Sequence, residues 1–124
     1  MIYIENDVIN LTRGDDATLT VPLTTGDNQT YEMGVDEYLI FGVKETPNDE
    51  AQVVFEINSS LGENVISITH EDTYQLPVGF YSAEIQLMTS DGKRVTVWPK
   101  LTGNQRVSKS NRKNFCLMTE VVRE

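Results

Sequence analysis

The chain has 124 residues, a mass of 14.0 kDa, and 39% hydrophobic and 23% charged side chains, which suits one domain spanning residues 1–124 that buries roughly two-thirds of its extended surface. No run of 18 apolar residues is present, which excludes a transmembrane helix, and the opening MIYIENDVINLTRG has neither the basic region nor the apolar stretch of a secretory signal. The net charge of −9 is unevenly placed: residues 1–92 carry 17 acids against two bases (−15), and residues 93–124 carry eight bases against two acids (+6).

In chain order, the first feature is the short alternating run Val8, Ile9, Leu11, followed by Arg13-Gly14-Asp15 and then by Ala17, Leu19, Val21 and Leu23 alternating with Thr18 and Thr20. Period-two alternation gives one apolar and one hydroxylated face, as in a half-buried strand. The tripeptide matches an integrin-binding motif, but that activity belongs to extracellular proteins and no export signal accompanies it. Its position between two strands calls for a chain reversal. There Gly14 supplies positive φ without a Cβ clash and Asp15 accepts backbone N–H groups. The residues Arg13, Gly14 and Asp15 are read as a turn.

Tyr38 to Lys44 (YLIFGVK) is nearly continuous in apolar residues and reads as a central strand covered on both sides. Val53, Phe55 and Ile57 alternate with Val54 and Glu56, and Ile66 and Ile68 with Ser67 and Thr69. Thr69 to Leu76 (THEDTYQL) is the one stretch resembling a helix, a single turn capped by Thr69 or Asp72 and ended by Pro77 and Gly79. Tyr81, Ala83, Ile85 and Leu87 alternate with polar residues. Val95 and Val97 alternate with Arg94 and Thr96, and Phe115 to Val122 offers a last strand. Turn signals at Gly26-Asp27-Asn28, Pro47-Asn48-Asp49, Leu61-Gly62-Glu63-Asn64 and Ser90-Asp91-Gly92 separate these runs. Short strands at this spacing predict an all-β sandwich or barrel.

The segment Leu101 to Asn114 is polar and basic, a long loop or an arm. From Lys93 to Lys113 there are seven bases and no acid. Clustered cations bind phosphate by counterion release. The stretch holds only Trp98 for base stacking, however, and the acidic body repels nucleic acid. A protein partner or a solvated loop is the better fit, with Lys100, Arg106, Lys109, Arg112 and Lys113 as the candidate interface in the first case. No membrane, small-molecule or nucleic-acid partner is expected.

Catalytic constellations are missing from the sequence. His70 is the single histidine, so a multi-histidine metal site is impossible. Cys116, the single cysteine, lies in an apolar strand, reads as a packed small residue, and permits no intrachain disulfide. No nucleophile elbow, phosphate loop or calcium loop is present, and acidic pairs such as Asp15-Asp16 and Asp36-Glu37 are expected in so acidic a segment. No cofactor and no metal are expected. The N-glycosylation patterns at Asn10, Asn28 and Asn58 are set aside for want of an export signal.

Three features together resemble the N-terminal domain of phage baseplate upper proteins and their prophage relatives in Gram-positive bacteria. They are the Arg-Gly-Asp turn with its Thr-rich strand (Arg13 to Leu23), the segment EDTYQLPVGFY (Glu71 to Tyr81), and the hairpin EIQLMTSDGKRVTV (Glu84 to Val97). The resemblance runs from about Asn10 to Val97 and weakens beyond. Asp72 and Thr73 start a tight turn, Leu76 fills the core, Gly79 swings the chain into a strand, and Asp91-Gly92 closes the hairpin. The family often has a Gly-Asp pair before its central strand, which Gly34-Val35-Asp36 interrupts here.

The resemblance implies an immunoglobulin-like antiparallel β-sandwich of about seven to nine short strands with one short helical turn. It also implies a non-enzymatic structural protein of a phage tail or baseplate, assembled in the bacterial cytoplasm and acting through self-association or contacts with other tail proteins. The alternative is an immunoglobulin-like adhesin or glycan-binding module at the virion surface, with Trp98, Tyr31 or Tyr74 stacking on sugar.

Overall fold

The computed structural model describes residues 2–5, 7–25, 27–46, 52–99 and 113–119. Among the described residues, nine strands and one helical turn occur in the order β1 (Ile2–Glu5), β2 (Val8–Thr12), β3 (Ala17–Thr20), β4 (Tyr38–Lys44), β5 (Val53–Asn58), β6 (Val65–Ile68), α1 (His70–Thr73), β7 (Gly79–Met88), β8 (Arg94–Trp98) and β9 (Phe115–Met118). The protein is all-β. β1 precedes every strand expected from the sequence, because IYIE is too short and too exposed to show a clear period.

The larger sheet has the order β1-β2-β9-β7-β4-β5, with β8 also paired to β7, and the smaller sheet is the pair β3-β6. The two sheets contribute to one core, as in a β-sandwich. The ladders are antiparallel except one: β2 runs parallel to β9, with Ile9 opposite Phe115 and Leu11 opposite Leu117. The turn at Arg13-Gly14 therefore does not close a hairpin. It carries the chain from one sheet to the other.

Alternation along the strands builds the core. In β7 the buried set is Tyr81, Ala83, Ile85 and Leu87, and in β4 Leu39, Phe41 and Val43 enter the same core while Ile40 is buried outside that cluster. The smaller sheet adds Ile66 and Ile68 to the same core as Ile9 and Leu11. At the centre Phe41, Phe55 and Phe115 meet edge to face, with ring centroids 6.0 to 6.1 Å apart. That geometry favours aromatic packing beyond the area it removes from water. Val21 and Leu23 lie beyond the end of β3 yet still enter the core. Tyr81 completes a tyrosine corner: its hydroxyl donates to the Pro77 carbonyl at 2.5 Å.

β7 is the longest strand, at ten residues, and it shares one edge between two partners. Gly79 to Tyr81 pair with β9 and Ile85 to Met88 pair with β8. Between them, among the described residues, Ala83 has no strand neighbour on that edge. The side chain of Asn114, buried, takes the place of one: its amide nitrogen donates to the Ala83 carbonyl at 3.0 Å and its oxygen accepts the Ala83 N–H at 2.6 Å. Lys100, Arg106, Lys109 and Arg112, most of the polar basic segment 101–114, and the turn Pro47-Asn48-Asp49 fall outside the described residues.

Candidate functional site: two loop clusters at opposite ends

Because β7 runs the length of the sandwich, its ends mark two loop clusters. At the Gly79 end the Arg13-Gly14-Asp15 turn meets the segment Thr69 to Leu76. Gly14, at φ +84°, turns the chain. Its N–H then donates to Thr73 Oγ1 at 2.8 Å, and Thr73 is fully buried. Arg13 reaches the Leu76 carbonyl at 3.3 Å. The His70 N–H donates to Asp16 Oδ1 at 2.7 Å, and His70 Nδ1 lies 2.6 Å from the Gly14 carbonyl oxygen, a contact that requires the proton on Nδ1. The His70 ring stacks on Tyr74 with centroids 4.5 Å apart.

The helical turn that presents Thr73 is stabilised locally. Thr69 is its N-cap, and Asp72 Oδ2 accepts both the Thr69 N–H at 2.8 Å and the Thr69 hydroxyl at 3.1 Å. Gly79, at φ +146°, then starts β7, a conformation that suits glycine. Arg13, Gly14, Asp16, His70 and Thr73 thus form one clasp between the two sheets. The arrangement binds loop to loop, and Arg13 is turned into it rather than offered to a ligand.

At the Met88 end a carboxylate that sequence reading passed over organises three loops. Glu37 is buried. Its Oε1 accepts the Tyr31 hydroxyl at 2.8 Å and the Gly34 N–H at 2.9 Å. Its Oε2 accepts the Ser90 N–H at 3.2 Å, and its backbone carbonyl accepts the Gly62 N–H at 2.7 Å. The Gly34 N–H, then the Tyr31 hydroxyl and the Ser90 donors, hold the Glu37 carboxyl below its usual range against the opposing effect of burial. The same bond to Glu37, reinforced by burial, pushes the Tyr31 hydroxyl up. Asp91 and Gly92 sit in the adjoining hairpin turn, where Gly92 takes φ +86° and donates its N–H to the Thr89 carbonyl. The sequence signal for Glu37 is a glutamate directly before the apolar run YLIFGV, three residues after a glycine.

The remaining candidates are distributed rather than gathered. Trp98 is half-buried and packs against the core, Tyr74 lies under His70, and Tyr31 is bonded to Glu37. Tyr31 and Tyr74, two of the three proposed sugar-stacking aromatics, therefore belong to opposite loop clusters. Burial pushes the Cys116 thiol up, which lowers its thiolate fraction. Lys113 is exposed and donates to the Glu45 carbonyl at 3.1 Å. Among the described residues no three His, Cys, Asp or Glu side chains are grouped to hold a metal ion.

Comparison with protein-family models, with curated proteins and with solved structures gives no match to this chain.

Proposed function

We propose that this chain is a non-enzymatic structural protein of a phage or prophage, a tail or baseplate module that works through protein–protein contacts. The observation that supports this reading is a division among the side chains. Those with chemical potential, Arg13, Glu37, His70, Thr73 and Asn114, hold loops and strand edges together. The apolar ones that a stable fold does not need on its surface stand exposed: Val35 at 88%, Leu61 at 63% and Phe80 at 58%. Apolar side chains held out on a rigid frame suit contact surfaces. The sequence resemblance supplies the phage context.

The test is co-sedimentation. Phage particles produced in a strain expressing a tagged form of this chain are run on a density gradient, with immunogold imaging of the peak. Label on the tail or baseplate supports the reading. Tag confined to the soluble fractions, with intact particles elsewhere in the gradient, refutes it.

A further inference from the structure

The loop end organised by Glu37 has a second property that holding the fold does not explain. Val35 and Leu61 are the two most exposed large apolar side chains among the described residues. They stand on neighbouring loops: a Cβ built on Gly62 would lie 3.5 Å from the Val35 backbone. Neither loop is free to fold them inward. The first is tied by Gly34 and Glu37, and the second by the bond from the Gly62 N–H to the Glu37 carbonyl. Exposed carboxylates surround the pair: Asp36, which accepts from Ser90 at 2.7 Å, Glu63 in the turn beside Leu61, and Asp91. Lys93, 3.8 Å from Asp91, is a cation on that rim. The result is a preorganised apolar knuckle with an acidic border, which complements a basic segment carrying a few apolar groups.

The chain itself contains such a segment. Lys100 to Lys113 holds five bases and no acid, with Leu101 and Val107 among them. Its described flanks lie along the middle of β7, where Trp98 pairs with Ile85 and Asn114 bonds to Ala83. Lys113 turns from there toward Glu45, away from the loop end. We propose that the Val35–Leu61 knuckle docks the basic segment Lys100 to Lys113 of a second copy of this chain, so that copies associate head to tail. The two surfaces differ, so the contact is heterologous and extends into a ring or a row. This deepens the assembly reading, on which it rests, by naming a partner.

Complementation of two variants tests it. One carries Val35→Ser, Leu61→Ser and Glu63→Lys and keeps its basic segment. The other carries Arg106→Glu, Lys109→Glu and Arg112→Glu and keeps its knuckle. Molar mass is measured by light scattering at low salt and at about half-molar salt, where screening shortens to a few ångströms. The wild type should exceed 14.0 kDa at low salt and return to it at high salt. Each variant alone should stay at 14.0 kDa at low salt, and their equimolar mixture should form a one-to-one pair of twice that mass, since each supplies what the other lacks.

A wild type that is monomeric at both salts overturns the proposal, and so do variants that associate like the wild type or a mixture that does not pair. A monomeric wild type that still co-sediments with tail particles removes this inference and leaves the assembly reading standing. Thermal midpoints matching the wild type confirm that both variants fold.

Discussion

Asn114 hydrogen-bonds both the N–H and the carbonyl of Ala83, at 2.6 and 3.0 Å, and so stands in for a strand at the point where β8 has ended and β9 has not begun. Ala83 is buried, and without Asn114 neither group has a ladder partner on that edge among the described residues. Asn114→Ala should therefore cost about 2 to 4 kcal/mol, the penalty of leaving a buried donor and a buried acceptor unmade. Urea unfolding checks this: the midpoint should fall with the slope unchanged. Asn114→Asp should be worse, because a carboxylate oxygen then faces the Ala83 carbonyl.

Glu37 and Tyr31 set a pH window. The Glu37 carboxyl is held below its ordinary value in the fold, so its contribution is complete above about 4.3 and is lost as pH falls through the lower folded value. The Tyr31 hydroxyl is pushed above 10.0, so its contribution is complete below that value and is lost as pH rises through the folded one. Thermal midpoints measured across pH should fall at both extremes. In Glu37→Gln the acid-side fall should flatten, and the midpoint at neutral pH should drop, because the amide presents a donor to the Ser90 N–H.

The clasp at the opposite end answers the question raised by Arg-Gly-Asp. Thr73→Val keeps the shape and removes the acceptor of the Gly14 N–H, a loss of about 1 to 2 kcal/mol. Gly14→Ala should cost roughly 1 kcal/mol from its positive φ. The two changes touch one contact and should not add. With Arg13 bonded to the Leu76 carbonyl, cells bearing integrins should adhere to the wild type no better than to Asp15→Glu in a coated-plate assay.

Much of this fold is visible in the sequence, because alternation reports which face of a strand is buried. β3, β5, β6, β7 and β8 coincide with runs of that kind, β4 with a nearly continuous apolar run, and the THEDT turn shows its capping pair. What stays hidden is what depends on neighbours distant in sequence. The parallel pairing of β2 with β9 joins residues about a hundred positions apart, and no local pattern encodes it. Asn114 and Glu37 look like ordinary polar residues beside apolar runs. Their roles follow from Ala83, Tyr31, Ser90 and Gly62, which only the fold brings near. The knuckle was legible only as a turn signal at Leu61-Gly62, since exposure at Val35 depends on where the Gly62 loop lies.

The central claim is that polar side chains hold this protein together and exposed apolar ones meet its partners. One series of thermal unfolding midpoints at neutral pH tests it most directly. Thr73→Val, Asn114→Ala and Glu37→Gln form one set; Val35→Ser, Leu61→Ser and Phe80→Ser form the other. The predicted result is a loss of several degrees for each of the first three, at roughly 3 to 5 °C per kcal/mol for a domain of this size. The second three should stay within about a degree or two of the wild type, as surface changes do. A Val35→Ser or Phe80→Ser chain that melts as low as Asn114→Ala would contradict the claim, because those side chains would then be serving the fold.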